Sequence, residues 1–532
     1  MNKFYYRTES IRKDDILNLF VGGESENKII ETFCSKQHVV LEGSRGSGKS
    51  FLMKVSQAKI ASNYEQSKVI PIYITFMHST LIHSPTPNQF HYWMMSKILR
   101  ETLKVLTKKG IVVSNYAQSL LGDLTDNKLQ VLIRQFQSSY KTPNRAIDPS
   151  ELPEISELND AIEEICTENN ISYINYFFDE SAHVFRPEQQ RQFFTLFRDF
   201  KSPYISCNAA VYPGVTHFGD SFELNHDAKY LRIERDIKSA NYLTDMEEMV
   251  MKQGGEIWRE KIKPNRSYFN TLAMSAGGNP RLLLKTLDAT ERLNSSSINS
   301  VIRTFYRSEI WNEHTQLGDK YKGHKELIDW GRSFVEDTVI PTIHRKNSDR
   351  LKRSKPESSL YFWIHKDSPE EIKEALRLLS YTGIIRKIDS GVKATKSAIG
   401  DRYEIKFGCL LAQNKAPVSV SKNVMENLSL DFFTEYGSNS SYYQSIDKNK
   451  IFDFTNAEFL ENITVQLSKP ISQLDLTEWQ KGKLQSVNIN TVEELLNTDE
   501  QYLIDNLNYI GPIKARIIKN SATAELLETI SG

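Results

Sequence analysis

The segment that most constrains this chain is Gly43-Ser44-Arg45-Gly46-Ser47-Gly48-Lys49-Ser50, set directly behind the apolar run Val39-Val40-Leu41. Gly43, Gly48 and the Lys-Ser pair after them match the phosphate-binding loop pattern, which requires a strand before it and a helix after it. Glycines adopt the backbone angles a tight loop needs and let amide N–H groups approach phosphate oxygens. A helix opening near Lys49 adds the positive end of its dipole. In this pattern the lysine reaches the outer phosphates and the following hydroxyl ligates Mg²⁺, roles that fall here to Lys49 and Ser50. Phe51-Leu52-Met53-Lys54-Val55 continues as an amphipathic helix.

A second half of the same machinery stands downstream. Ile174-Asn175-Tyr176-Phe177-Phe178 reads as a buried strand with Asp179-Glu180 at its end. An Asp so placed holds the Mg²⁺ hydration shell, and an adjacent Glu orients and polarises the attacking water. ATP hydrolysis is expected as well as ATP binding.

At 532 residues the chain is too long for one core. Its 67 basic and 67 acidic residues cancel, so nucleic-acid binding must come from local patches rather than a global charge bias. Cys34, Cys166, Cys207 and Cys409 are scattered, with neither metal-ligand nor redox spacing. Free thiols in a reducing interior follow. The first residues are not a secretory signal and no apolar run approaches a membrane span, so a cytoplasmic location is expected.

Strands alternate with helices through the first half: Val39–Leu41, Val69–Ile74, Ile174–Phe178, Tyr204–Cys207 and Lys229–Ile233. This predicts an α/β fold, a three-layer and mostly parallel sheet. The span between the second and third strands exceeds one crossover helix, which predicts a helical insertion at about 80–160, with Pro143, Pro149 and Pro153 in a turn-rich stretch. Asn208 ends the fourth strand, where it touches the γ-phosphate or attacking water, or else caps a turn.

The order of phosphate loop, Asp-Glu strand, polar strand end and Gly277-Gly278-Asn279-Pro280-Arg281 resembles AAA+ ATPases. More narrowly it is similar to their origin-recognition and cell-division-cycle initiator branch and its bacterial relatives. The resemblance implies an adenine pocket at Phe20-Val21-Gly22-Gly23-Glu24, with Val21 at the base and Gly23 where an Arg is usual. It also implies that Arg281 reaches the nucleotide phosphates from a lid helix. Such ATPases commonly assemble as homo-oligomers and borrow an arginine from a neighbour, for which Arg198 and Arg235 are the candidates.

From about 325 to 413 the pattern becomes helix, basic loop, helix and two strands, resembling the winged-helix domain of initiator-type ATPases. Arg345, Lys346, Arg350, Lys352 and Arg353, in a run that continues to Ser354 and Lys355, suit DNA phosphates. The helix from Pro369 that would read DNA carries Glu370, Glu371 and Glu374, and winged helices also dock proteins. Residues 471–530 resemble tandem helix-hairpin-helix elements, similar to the C-terminal domain of the bacterial RNA polymerase α subunit. Asn490 is expected to cap one helix, Gly511 matches a hairpin glycine and Tyr509 replaces the other. Lys514, Arg516 and Lys519 supply charge. The expected division is an α/β core at 1–238, a helical lid at 239–312, a winged-helix-like domain at 313–415, a linker at 416–465 and a helix-hairpin-helix domain at 466–532.

Two functions fit these expectations. One is an ATP-binding and ATP-hydrolysing switch that holds DNA through its C-terminal modules. The other is a sensor ATPase of prokaryotic anti-phage defence, whose C-terminal modules grip a separately encoded effector protein. Nothing in the sequence resembles a nuclease, deaminase or protease site.

Overall fold

The structure is a computed structural model that describes every residue except 1–3, 80, 81, 83–87, 123, 140–146, 182–186, 220, 234, 354–356, 452–462 and 532. Pro143, Ser354 and Lys355, which figured in the sequence expectations, lie outside the described residues. Two compact units emerge, one of residues 1–264 with 278–288, the other of 265–277 with 289–532. The expected lid is thus divided: helices Tyr242–Ile262 and Pro280–Asp288 belong to the first unit, Arg266–Ser275 and Ser295–Thr304 to the second.

The first unit is an α/β layer structure around five parallel strands. They are β1 (Val39–Glu42), β2 (Val69–Thr75), β3 (Tyr173–Asp179), β4 (Ile205–Val211) and β5 (Lys229–Arg232), in the order β2-β3-β4-β1-β5. Strand alternation divides β3 between two layers. Tyr173 and Phe177 pack with the helices Glu24–Cys34 and Lys49–Ser62, while Ile174, Tyr176 and Phe178 pack under the helices between β2 and β3 and under Pro187–Asp199. Burial on both faces explains why this strand reads as one apolar run.

One polar pair interrupts that interior. Asn175 Nδ2 donates to Phe33 O at 2.8 Å, and Asn208 Nδ2 donates to Asn175 Oδ1 at 2.5 Å and to Tyr176 O at 3.1 Å. Both side chains are fully buried. β4 does not end at Asn208 as expected. It runs on to Val211, and Asn208 pairs with Val39 at the start of β1. Three residues of strand put it about 10 Å behind the strand's carboxyl end. Asn208 therefore ties β4 to β3 and does not reach the phosphate loop.

The second unit holds a mixed sheet in the order β7-β8-β6-β9, from β6 (Tyr361–His365), β7 (Ile385–Lys393), β8 (Ile399–Ile405) and β9 (Phe433–Tyr436). The expected hairpin is β7 and β8. The expected linker is different: Pro417–Glu426 is a helix, and β9 pairs in parallel with β6. The basic run is not a loop either. Lys325–Ser333, a π turn at Phe334–Val339 and Ile340–Lys352 form one continuous helix. Arg and Lys are good helix formers, and Ile340 and Ile343 anchor their segment in the core. Pro341 has no N–H to give residue 337, and the hydrogen-bond ladder widens just before it.

The C-terminal helices Glu478–Gln485, Val492–Asn497, Glu500–Asn506 and Pro512–Ser531 enclose a core of their own, with Leu484, Val492, Leu495, Leu503 and Ile518 at its centre. Thr491, not Asn490, caps the second of these: its side chain accepts from Glu494 N while Glu494 Oε2 accepts from Thr491 N. The four cysteines are free thiols. Among the described residues no helix is long and apolar enough to cross a membrane.

Asn175→Ala would strip partners from Phe33 O and the Asn208 amide in a dry interior. A loss of about 2–3 kcal/mol is expected in the unfolding free energy from denaturant titration; Asn175→Ala unfolding at the wild-type midpoint would contradict the role given to this pair.

Candidate functional site

The carboxyl ends of β1, β3 and β4 open on a cavity of about 550 Å³ within the first unit. Ligands of open parallel sheets bind at this end. Of the residues singled out from sequence, Val21, Arg45, Gly46, Gly48, Lys49, Ser50, Phe51, Asp179, Glu180 and Arg281 line it. Gly43, Ser44 and Ser47 shape the loop from behind, and Asn208 takes no part.

The loop is built for close approach. A Cβ on Gly43 would meet Ile233 Cγ2 at 2.2 Å and Ser47 Oγ at 2.6 Å, so no larger residue fits there. Gly46 and Gly48 have φ of +83° and +104°, which glycine adopts without strain. Helix Lys49–Ser62 starts directly after Gly48. Lys49 is 7% exposed, and its Nζ donates to Gly43 O at 2.5 Å and Ser44 O at 3.2 Å and sits 4.0 Å from the centre of the Tyr212 ring. Burial pushes its amine down to about 7, against the pull of Asp179 and with the help of Arg281. Ser47 Oγ, nearly buried, has no hydrogen-bond partner among the described residues. A buried cation on loop carbonyls, an orphaned hydroxyl and a steric cradle fit a polyphosphate.

The acidic side is equally organised. Asp179 ends β3 opposite Thr75, and its Oδ2 accepts a short hydrogen bond from the Tyr73 hydroxyl while Oδ1 accepts from Glu180 N at 3.0 Å. Lys54 Nζ lies 3.2 Å above the Tyr73 ring. Tyr73 was not marked in the sequence, because an aromatic in a strand signals core, and only the register of β2 on β3 carries it to Asp179. Glu180 has φ +52°, a left-handed backbone that costs a non-glycine residue on the order of 1 kcal/mol. Its carboxyl is held above the usual range by burial, then by Asp179 and Glu9, against Arg45 and Lys49. A carboxylate raised in this way suits a proton acceptor.

Two more walls complete the cavity. The lid helix Pro280–Asp288 meets the loop at Gly46: Asn279 Nδ2 donates to Arg45 O at 2.9 Å, and a Cβ on Gly46 would lie 3.2 Å from Arg281 Cβ. Arg281 Nε in turn donates to Tyr6 O at 3.0 Å. Tyr6 belongs to an N-terminal strap, residues 5–11, that lines the cavity and whose Tyr6 hydroxyl donates to Asp288 at 2.5 Å. No motif marked this strap.

Arg235, a candidate for insertion into a neighbouring copy, is committed within its own chain. It donates to Ser47 O at 2.7 Å and Gly278 O at 3.2 Å and pairs with Glu26 at 2.6 Å. Gly23 faces this group, since a Cβ there would meet Glu26 Oε2 at 2.6 Å and Asp245 Oδ2 at 3.1 Å. Arg198 lies at the surface on Asp199 and Ser221 O.

The basic candidates fall into two groups. Arg345, Lys352 and Arg353 are exposed and Lys346 is half-buried, whereas Arg350 is taken up by Glu357 at 2.6 Å and the Phe432 ring at 4.0 Å. Gly511 borders open space, and Lys514 Nζ donates to Tyr509 O at 3.1 Å and stands over Trp479. Arg516 pairs with Glu500, and Lys519 caps Leu495 O, Leu496 O and Thr498 O at 2.7–2.8 Å, so neither is offered to a ligand. The helix Glu370–Thr382 that sequence put forward as a reader is packed inside the unit, with Glu371, Ile372 and Leu376 at most 2% exposed.

Phosphate loop, Asp-Glu strand end, lid arginine and the strand order β2-β3-β4-β1-β5 together define an AAA+ phosphate-loop NTPase fold. Residues 4–81 match a family model described as ORC-CDC6-like. It is similar to the structure of the Aeropyrum pernix ORC1 protein in complex with DNA, at 12% identity, covering 77% of this chain and 96% of that one, with a TM-score of 0.33. It is likewise similar to the Aeropyrum pernix ORC2 protein, solved in ADPNP-ADP complexes, at 10% identity, covering 78% and 93%, with a TM-score of 0.32. No curated protein matches the sequence.

Tyr73→Phe removes one hydroxyl and leaves the ring under Lys54. We expect the Mg²⁺ concentration for half-maximal nucleotide turnover to rise about tenfold, the loss of one charge-assisted hydrogen bond, with the nucleotide KM at saturating Mg²⁺ little changed. An unaltered Mg²⁺ titration would remove Tyr73 from the site.

Proposed function

We propose that the chain is an ATP-binding and ATP-hydrolysing switch whose second unit holds DNA. The observation that carries the nucleotide half is the convergence of Lys49, Asp179, Glu180 and Arg281 on one cavity. ATP with Mg²⁺ supplies, when bound, a charge-neutralised γ-phosphoryl group open to attack by water. Val21 and Phe20 offer the apolar wall for the base. Lys49 exchanges the carbonyls of Gly43 and Ser44 for phosphate oxygens. Ser50 and Asp179 are the oxygen donors for the metal, with Tyr73 fixing the Asp179 carboxylate. Glu180 orients a water and takes its proton. Arg281 leaves Tyr6 O for the phosphates, which couples the lid helix and the N-terminal strap to nucleotide state.

The DNA half rests on the exposed cations Arg345, Lys352 and Arg353. The winged-helix and helix-hairpin-helix readings serve it as mounts rather than as reading helices, because Glu370–Thr382 is buried. A second reading has its own observation. Trp479, Tyr509, Ile513 and Ile517 are 42–84% exposed on the C-terminal helices, a composition suited to docking an effector protein.

Glu180→Gln should retain bound ATP and lower turnover by at least about a hundredfold, while Lys49→Ala should lose binding; single-turnover kinetics with radiolabelled ATP distinguish the two. Turnover by Glu180→Gln at the wild-type rate would remove Glu180 from the hydrolytic step, and negligible turnover in both proteins would leave a nucleotide-gated scaffold.

Proton linkage gives a further expectation. The Lys49 amine, near 7 without ligand, is mostly neutral at about pH 8, and phosphate oxygens raise it. Binding of ATP should then take up close to one proton at about pH 8 and almost none at about pH 6, read from the buffer dependence of the calorimetric enthalpy. Equal uptake at both pH values would contradict the burial of this amine.

A further inference from the structure

The second unit holds another concavity, about 500 Å³, between the helix Ile340–Lys352 and the loop that follows β9. Thr342, Arg345 and Lys346 form one wall, and Gly437, Ser440 and Tyr442 the other. Arg345 is exposed and makes no ion pair among the described residues. Glu435 is the one carboxylate on the rim, and its Oε1 accepts from Thr395 N and Oγ1 at 3.3 and 2.8 Å. The wall therefore carries an excess of positive charge beside neutral hydroxyls.

The loop is held in shape from outside. Arg516, fixed by Glu500 at 2.5 and 3.0 Å, donates to Ser438 O at 3.1 Å and to Asn439 Oδ1 at 3.2 Å. Tyr442 is 47% exposed and stands edge-on to the buried Tyr436 ring, with centroids 5.9 Å apart. A large aromatic half in water at the mouth of a basic concavity has a face to offer. The volume matches one small ligand unit such as a single nucleotide. A positively charged groove with an aromatic platform is the arrangement that holds single strands, whose bases are free to stack. Paired bases in a duplex are already stacked and cannot reach such a platform.

We propose that this cavity seats a single nucleic-acid strand, with a backbone phosphate on Arg345 and Lys346 and a base against Tyr442. This rests on the DNA half of the proposed function, and it places the contact away from the buried Glu370–Thr382 helix.

The test is fluorescence anisotropy of the full-length protein with a labelled single strand, and with a duplex of the same sequence, from about 50 to 200 mM salt. The single strand should bind the wild type more tightly than the duplex does. Tyr442→Ala should weaken it about tenfold, and Arg345→Gln should reduce the slope of log affinity against log salt by about 0.7. Lys108→Gln, at the exposed end of the helix Gln89–Lys108 in the first unit, should bind as wild type, and thermal unfolding midpoints establish that the variants are folded. If the wild type binds but Arg345→Gln and Tyr442→Ala bind equally well, the cavity is not the seat and the DNA reading survives elsewhere on the chain. Duplex binding as tight as the single strand's, with Tyr442→Ala silent, overturns the single-strand assignment. No binding of either form by the wild type overturns both this inference and the DNA half of the function.

Discussion

A buried ammonium group needs oxygen around it, and the first unit is arranged to meet that need at Lys49. Without a ligand the amine rests on the carbonyls of Gly43 and Ser44 and the face of Tyr212. Those oxygens are available only because the loop folds back over its own lysine, which in turn requires glycine at 43, 46 and 48. Arg235 then fixes the loop from the far side by binding Ser47 O, Gly278 O and Glu26 at once. Removing a buried pair's partner typically costs about 3–5 kcal/mol, so this clamp bears on the fold as much as on the site. It also explains why Arg235 is not available to another copy.

How far the sequence disclosed this arrangement depended on the kind of signal. Local patterns carried over well. The phosphate loop, the β3 strand with its Asp-Glu end and the lid Arg281 all stand at the cavity, because each is encoded within a few consecutive residues. Asn208 misled because a strand's length is set by its neighbours: β1 pairs with β4 as far as Val211, three residues past the polar side chain. Tyr73 and the strap at residues 5–11 left no local signal. Their roles come from register and from contacts some 100 to 280 residues apart in the chain, which no single-sequence pattern encodes.

The second unit was less legible for a related reason. A run rich in Arg and Lys reads as a solvated loop, yet those residues favour helix, and two buried isoleucines suffice to anchor the segment. Short β9 was hidden by the Gly-Ser stretch beside it, and its pairing with β6 was decided across more than sixty residues. The helix Glu370–Thr382 was expected to read DNA, with its three glutamates weighing against phosphate contact. Arg377 binds Glu370 and Glu374 at 2.9 and 2.7 Å, which lets this helix go inside with its charges matched.

Glu180 holds a backbone shape that glycine would adopt freely. A change to glycine there would relieve the backbone strain while removing the carboxyl group from the cavity. The carboxyl group at the mouth of the cavity thus stands on a turn whose geometry alone would be met as well by a residue with no side chain.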